Sequence, residues 1–439
     1  MLFQKTRPNK ILFLLSIFTL TSISSLANSD TEKEGLKRKA EKKVDSLCDA
    51  FGKHMGSNTK KALAVSVEAL ALADSIGYTF GSINAKRKIA DSHFIAGRYE
   101  KALVYGFEGL NDIKIAFANG SLDKSNKEHM ALMAKTQRTI GVIYAALDYY
   151  SLALKYYRKA EKIFLKQKNT LYALAKIYSM KAVVYIDNKE MDFAKTTLLE
   201  ANTIFKRQEE HNAKMGLAHN YNNLSVIHQY LKNSNLRIAY LDSATQIFKE
   251  FKDYGSLINT MHNKAIYSLS QHDYEGAHSA LEKAEIQLKT FKNKLLLSRN
   301  TFLRAKTYGL QGNVELAEKM LIDELKNARI LLFTSNSEDI CKNLVQLYED
   351  RNDIENLFKY KSILLDLQAQ REQYQDQKTI IEEKYAKQFD EQADLFDFKE
   401  KLYKKSNEII IAIFAFLALQ LMVLIVLSSR KKSIKLNQI

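Results

Sequence analysis

The feature that most constrains this chain is a residue pattern that recurs about every forty positions. A small residue, the anchor, is followed by an aromatic or polar residue three positions later, by alanine twelve later and by a small residue nineteen later. The best copies begin at Ala90, Gly141, Ala182 and Ala265. Weaker copies begin at positions 50, 225, 305 and 345, so the anchors are 40, 51, 41, 43, 40, 40 and 40 residues apart. Eight copies in one register indicate an internal repeat.

The composition favours helices within each repeat. The 439 residues contain one proline, Pro8, and fifteen glycines, whereas folds with many tight turns use both residue types heavily. Each unit is therefore predicted to be a pair of antiparallel helices, whose small residues let neighbouring helices approach closely. Because no pair can bury its apolar face alone, stacked pairs share one core. We predict an all-α solenoid superhelix of about eight pairs over residues 30–366.

Short polar segments should join the helices. Residues 147–149 and 311–313 are the predicted turns within two of the pairs. The one long step between anchors, 51 residues, contains the polar stretch 118–126, which we expect to form a surface loop between two pairs. After Gly312 the chain has no further glycine or proline, so the last helix, from about Ile354, can continue without a break.

The signature positions resemble those of the tetratricopeptide repeat, as in the copy formed by Gly141, Tyr144, Ala153 and Ala160. The resemblance covers residues 40–366. The units are longer than the 34 residues of the common form, and the usual tryptophan and closing proline are missing. Longer units of this kind are similar to those of bacterial peptide-sensing regulators and of kinesin light chain. The resemblance implies a groove, lined by the first helix of each pair, that binds peptides.

The groove-facing positions implied by the resemblance lie six, three and two residues before each anchor. They hold mostly cations and amides, and include Asn84, Lys88 and Thr139. Amides can bind an extended peptide backbone through a donor and an acceptor, and Lys and Arg can hold carboxylates or phosphates. We therefore expect a peptide or protein ligand, preferably an anionic one. The predicted binding residues are Arg87, Lys135, Arg138, Lys176, Asn222, Asn223, Asn259, His262, Asn263 and Arg299.

A second interpretation of these polar residues stays open. Side chains on a solvated face need no ligand, and the asparagines can serve only to tie neighbouring helices together. Enzyme motifs are missing from the sequence: it has no Gly-rich phosphate loop, no H-E-x-x-H and no C-x-x-C. We expect a protein that is not an enzyme, with no catalytic residue, no metal site and no cofactor.

Both ends of the chain carry apolar segments. Residues 1–27 combine three cations, an apolar run and small residues ending at Ala27, which is typical of a secretory signal peptide; an uncleaved signal anchor is the alternative. Residues 408–428 contain an apolar run of 19 residues. A helix of that length spans ~28 Å, enough for a bilayer core. The segment 429–439 is then a basic cytoplasmic tail.

These segments predict a single-pass protein of a bacterial inner membrane, with residues 30–407 in the periplasm. Of the formal net charge of +16, +9 belongs to residues 30–428, which favours anionic partners, and export excludes nucleic acid. Residues 367–407 are charged, with Leu367, Tyr374 and Ile381 in a seven-residue register. This pattern predicts a helical stalk, either a weak coiled coil that forms a homodimer or a helix that folds alone or packs on the array.

The order of segments resembles the exported sensor half of Bacteroidetes-type tetratricopeptide signalling regulators, with the cytoplasmic output domain missing. The resemblance implies a membrane-anchored sensor or adaptor that binds its ligand in the groove and acts on a separate inner-membrane or cytoplasmic signalling partner. Two alternatives remain: a static scaffold that assembles envelope proteins, and a truncated transcription regulator or sensor kinase that lacks its output domain.

Overall fold

The computed structural model describes residues 30–55, 58–208, 210–330 and 334–381. These residues form sixteen α-helices, and those up to Lys378 belong to one compact unit, whereas Thr379 onward belongs to a second. Successive helices pack in pairs, as the repeat predicts. The first helices of the pairs are α1 (Asp30–Met55), α3 (Thr79–Ile95), α5 (Lys127–Ala146), α7 (Leu171–Asp187), α9 (His211–Tyr230), α11 (Tyr254–Ser270), α13 (Lys294–Leu310) and α15 (Thr334–Asp350).

The second helix of each pair follows after a short turn. These helices are α2 (Thr59–Ile76), α4 (Tyr99–Ala118), α6 (Tyr150–Leu165), α8 (Met191–Phe205), α10 (Ser234–Glu250), α12 (Tyr274–Phe291), α14 (Val314–Ile330) and α16 (Ile354–Ile381). All eight anchors lie in first helices. The predicted start of the last helix at Ile354 is confirmed. Because α16 runs through residue 366 without a break, the expected boundary between array and stalk falls inside one helix.

The turn within a pair has the same form along the array. In the seven pairs from α3–α4 onward it is three residues long, and its middle residue has a positive φ, as in Gly97 (69°), Asp148 (61°) and Gly312 (88°). In the turn after α5, the Tyr149 amide donates to the Tyr144 carbonyl at 2.9 Å and the Asp148 amide donates to the Ala145 carbonyl at 3.0 Å. These two bonds satisfy the last carbonyls of the helix. Such a turn needs a left-handed residue and no proline, so the turns predicted at 147–149 and 311–313 are confirmed.

The repeat signature consists of packing positions. The alanines twelve residues after the anchors, such as Ala153 and Ala194, are fully buried between helices. Gly141 shows how close the helices come, because a Cβ atom placed there would lie 2.6 Å from the ring of Tyr157. Two signature positions carry charge instead of alanine. Arg237 stacks its guanidinium 5.3 Å from the ring centre of Tyr267, and Glu324 accepts a hydrogen bond from the Ser298 hydroxyl.

The long step between the second and third anchors is a loop, as predicted. It occupies residues 119–126, between α4 and α5. The Asn126 side chain caps α5 by accepting a hydrogen bond from the Glu128 amide at 2.8 Å. One residue of this polar loop is apolar: Leu122 is buried against Ile83 and Leu132. The insertion is therefore anchored to the core by one apolar side chain.

Neighbouring first helices pack against one another, and α9 and α11 do so least closely. Neighbouring second helices make much weaker contacts. The first helices therefore lie on the more tightly packed side of the array, and their outward side chains form one continuous surface. Cys48 and Cys341 are both buried.

Several predictions concern residues outside the described part of the chain. The signal peptide, the apolar segment 408–428, the tail and most of the stalk lie there, so their structure and any stalk dimer stay predictions. Within the described ranges, no helix combines the length and apolar character that a bilayer crossing requires.

Candidate functional site

The surface of the first helices divides into two chemically different regions. On α3, α5 and α7, the positions before the anchors are rich in cations, and on α9 and α11 they are rich in amides. We call Asn222, Asn223, Asn259 and Asn263 the amide region. We define the cation cluster as Arg87, Lys88, Lys135, Arg138 and Lys176. Four of its five members were predicted binding residues.

One carboxylate lies at the centre of the cation cluster. Asp91 accepts a hydrogen bond from the Arg87 Nη1 group at 3.1 Å through Oδ2, and from the Thr139 hydroxyl at 2.9 Å through Oδ1. The Thr139 contact joins α3 to α5 across two successive pairs. Arg87 also donates to Asn84 at 2.8 Å. Asp91 thus fixes Arg87 in place and partly neutralises it.

The lysines of the cluster have lowered pKa values. Burial, followed by the charges of Arg87 and Arg138, lowers the pKa of Lys88 to about 8. The Lys88 ammonium lies 4.6 Å from the ring centre of Phe51. Burial and the charge of Arg138 also lower the pKa values of Lys135 and Lys176. Burial is the largest cause of each shift, and the charges of neighbouring cations add to it.

Lys135 combines an exposed side chain with a pKa that burial lowers. Water reaches the ammonium group, but protein surrounds it at longer range. This combination is typical of a concave surface. Lys135 also borders a cavity of about 290 Å³, which is lined as well by Asp45 and Asp49 of α1 and by Glu128 of α5. The cation cluster therefore has an acidic flank on the side of α1.

The amide region is held together across two pairs. The Asn263 amide group donates to the Asn222 carbonyl oxygen at 3.0 Å, which links α11 to α9. These are the neighbouring first helices that pack least closely. Asn223 and Asn259 are half-buried on the same helices. The bond consumes one acceptor and one donor hydrogen, and each side chain keeps further hydrogen-bonding capacity.

Two predicted binding residues lie beneath this surface. His262 has no exposed surface, and its Nε2 atom is 3.1 Å from the Asn300 side-chain oxygen of α13. It cannot touch a ligand in this arrangement, because the next pair covers it; its prediction as a groove residue is corrected. Arg87 is 5% exposed and is held by Asp91 and Asn84, so it supports the surface from below.

The remaining predicted residue, Arg299, lies on α13 and is exposed. Burial of its surroundings lowers its pKa, and Asp339 of α15 counteracts this effect. Its charge in turn helps to lower the pKa of His262, for which burial is the larger cause, to about 4. Arg299 therefore lies beyond the amide region, away from the residues that surround Asp91.

Two residues of this surface escaped the sequence analysis. Asp91 follows its anchor by one position, where no groove residue was expected, and Asn300 lies one position after Arg299. An acid four residues after Arg87 on a helix was a signal for an i,i+4 pair. Asn300 offered no comparable signal, since its partner, His262, lies 38 residues earlier in the chain.

No family model matches the sequence, and no curated protein matches it. Solved structures do match the fold. The apo form of the quorum sensor NprR from B. thuringiensis is 13% identical, with a TM-score of 0.60, over 80% of this chain and 92% of that one. The apo form of RapI is 12% identical, with a TM-score of 0.52, over 75% and 98%.

A third match is the Rap conjugation gene regulator of the plasmid pLS20, in complex with the Phr* peptide. It is 15% identical, with a TM-score of 0.52, over 76% of this chain and 96% of that one. At such identities the likeness concerns the fold alone. Together with the helical pairs and their anchors, it shows that this chain has an all-α, tetratricopeptide-like helical repeat fold.

Proposed function

We propose that the surface of the first helices binds an extended segment of a peptide or protein partner and that the chain acts in signal transduction without catalysing a reaction. The observation that carries this proposal is the continuity of that surface. Neighbouring first helices pack against one another, and the hydrogen bond from Asn263 to Asn222 joins α11 and α9, which pack least closely. An extended segment rises ~3.3 Å per residue, so about three residues pass each helix at a spacing of ~10 Å.

The amide region suits a peptide backbone. Side-chain amides offer a donor and an acceptor that match the backbone N–H and C=O groups of an extended chain, whatever its sequence. The matched regulator of plasmid pLS20 has a peptide bound in its structure. That complex supports a peptide ligand for this fold.

A peptide panel tests the proposal. The full-length chain, purified in detergent, is screened against immobilised ten-residue peptides, and the strongest hits are measured by fluorescence anisotropy. The double variant Asn222→Ala, Asn263→Ala should weaken binding about tenfold or more, because hydrogen bonds to the backbone contribute about 1 kcal/mol each. The control is Thr196→Ala, an exposed residue on the second helix α8. Equal binding by the double variant and the wild type would count against the surface.

We further propose that the array is exported and tethered to a bacterial inner membrane by the apolar segment 408–428, and that bound ligand is reported to a separate signalling partner. Single cysteines in place of Lys60 and Lys431, labelled in intact cells with a membrane-impermeant maleimide, test the topology. Labelling at position 60 alone supports it, and labelling at position 431 contradicts it.

Transmission is tested at the stalk. A cysteine in place of Lys401 should cross-link between two copies to a different extent when a binding peptide is added. An unchanged cross-linking yield with saturating peptide would favour a static scaffold over a sensor.

A further inference from the structure

The cation cluster brings like charges together from three successive first helices. Arg87 and Lys88 come from α3, Lys135 and Arg138 from α5, and Lys176 from α7. Like charges in a partly desolvated place repel one another, which makes the arrangement unfavourable unless a negative group offsets it. Packing alone does not require it, because the signature positions that hold the helices together are alanine and glycine.

Asp91 offsets only part of this charge. Both of its oxygens are used, one by Arg87 and one by Thr139. In the part of the chain that the structure describes, Lys88, Lys135, Arg138 and Lys176 form no ion pair within 4.0 Å. Asp49 and Glu128 act on Lys135 only from a distance. Among the described residues, Asp91 is therefore the one carboxylate that forms an ion pair with a member of the cluster.

A second observation comes from Arg87 itself. Its side chain is 5% exposed, and its Nε group is buried without a hydrogen-bond partner among the described residues. A buried donor of this kind is costly when left unsatisfied. The same guanidinium already donates to the carboxylate of Asp91. The Thr139 hydroxyl of the next pair donates to the other oxygen of that carboxylate. The contacts of Asp91 thus show which chemical group this place accepts.

The extent of the cluster indicates the shape of the anion. Neighbouring first helices pack ~10 Å apart, so three of them cover about 20 Å. A single phosphate or carboxylate cannot contact all three. An extended peptide covers this length with about six residues, and its alternate side chains point to the same face. Carboxylates on alternate residues can therefore reach successive helices.

We propose that the cation cluster is a binding site for the clustered carboxylates of an acidic peptide segment, and that Asp91 is an internal competitor that limits its affinity. This inference rests on the proposed function, since it names the chemistry of the ligand at one end of the peptide-binding surface. Arg138, Lys135 and Lys176 contact the ligand, and Arg87 is a positioning residue held by Asp91. A carboxylate of the ligand offsets the part of the repulsion between the cations that Asp91 does not offset.

Fluorescence anisotropy with a labelled hexaglutamate peptide tests the proposal on the full-length chain in detergent. Hexaglutamine of the same length is the uncharged probe. The variant Lys135→Gln, Arg138→Gln should weaken hexaglutamate binding at least tenfold, because charge-assisted hydrogen bonds are about twice as strong as neutral ones. The matched control, Lys249→Gln, Lys289→Gln, removes the same charge from exposed lysines of α10 and α12 and should weaken binding less than twofold.

The variant Asp91→Asn has the opposite expected effect. It removes the internal carboxylate while keeping a side chain of the same size, so hexaglutamate should bind about three- to tenfold more tightly. Circular dichroism and the melting temperature check that each variant is folded. If the Lys135→Gln, Arg138→Gln variant fails to fold, Lys176→Gln takes its place, with an expected loss of about threefold; if Asp91→Asn fails to fold, Asp91→Ser takes its place, with the same expected gain. Weaker binding by a folded Asp91→Asn variant overturns the role of Asp91.

Three results overturn the site itself. These are equal losses in the cluster and control variants, equal affinity for hexaglutamine, and full displacement of hexaglutamate by inorganic phosphate but not by chloride of the same ionic strength. The last would make the cluster a phosphate site. If hexaglutamate fails to bind while panel peptides still bind through Asn222 and Asn263, the carboxylate site alone is wrong. If neither binds, the proposed function fails as well.

Discussion

The cation cluster and the amide region occupy the same positions of the same repeat, yet their surroundings differ. On α3 and α5, Arg87 and Arg138 lie three residues before the anchor, and the corresponding residues on α9 and α11 are Asn222 and His262. The packing positions of both regions are buried, although Arg237 replaces one of the alanines after α9. The repeat therefore separates two tasks: its signature positions set the packing, and the positions before the anchor are free to vary in chemistry.

The difference extends below the surface. In the cation region the interhelical polar contact, Thr139 to Asp91, involves a partly exposed carboxylate. Beneath the amide region, the contact of His262 with Asn300 is fully buried. The Thr139–Asp91 contact is thus part of the outward surface, whereas the His262–Asn300 contact is part of the core below that surface. The experiments below test this comparison, in order of expected effect.

The largest effect is expected from His262→Ala. It leaves the Asn300 side chain buried without its partner and opens a cavity, so the free energy of unfolding should fall by about 3 kcal/mol. Thr139→Ala, the counterpart in the cation region, should cost about 1 kcal/mol because water can reach Asp91. Urea denaturation measures both. Similar losses for the two variants would remove the distinction between the regions.

Gly141→Ala and Gly216→Ala test whether the packing is common to both regions. A Cβ atom would lie 2.6 Å from the Tyr157 ring in the first case and 2.6 Å from the Phe205 ring in the second. Each substitution should cost about 2 kcal/mol, because a well-packed aromatic ring must move.

Gly109→Ala is the control for these two variants. The nearest atoms to its Cβ would be 3.8 Å away, an ordinary contact. Since alanine favours a helix over glycine by ~1 kcal/mol, this variant should be neutral or more stable in thermal denaturation. A loss like that of Gly141→Ala would mean that the close approach of helices does not explain why small residues recur in the repeat.

The third prediction concerns pH and the cation region alone. The folded chain lowers the pKa of Lys88 from 10.5 to about 8. Between those values the unfolded chain binds more protons, so stability should rise as the pH rises through this window. Below pH 8 the folded chain bears the full cost of keeping Lys88 charged in its buried place. Lys88→Met should then be more stable than wild type by about 1 kcal/mol, allowing for solvent screening. Denaturation at pH 7 and pH 10 should show this advantage shrinking.

The exposed Lys249→Met is the matched control for that pH series. Its difference from wild type should not change between pH 7 and pH 10. The neighbours that shape the Lys88 titration are Arg87, Arg138, Asp91 and Cys48. If Lys88→Met keeps a constant advantage at both pH values, charge is not the cause of its effect.

The smallest effects are expected at ion pairs that join successive pairs of helices. Lys181 and Lys264 each precede an anchor by one residue and contact the second helix of the preceding pair, at Glu161 (3.0 Å) and Asp242 (2.7 Å). Lys181 and Glu161 are both largely buried, whereas Asp242 is 63% exposed. Lys181→Met should cost about 1 kcal/mol and Lys264→Met less than about 0.5 kcal/mol in urea denaturation. The reverse order would contradict the burial argument.

Much of the fold could be predicted from the sequence. Anchors and alanines recur with the helical pair because they are buried at every repeat, and the turn at 147–149 lies where the pattern places it. Less of the candidate site could be predicted from the sequence. The positions before the anchors were identified, but the spacing could not show that His262 is covered by Asn300 or that Asp91 holds Arg87 and Thr139. Those contacts depend on rotamers and on the neighbouring pair.

The sequence by itself determined the helical pairs, their register and the residue types that face outward, because each follows from local spacing and from burial repeated every forty residues. Only the tertiary structure decided which outward positions stay accessible and which cations converge on Asp91. Such contacts join residues of successive pairs, as Asp91 and Thr139 do across 48 positions. Their distance depends on how closely the helices pack, and a periodic pattern does not specify that quantity.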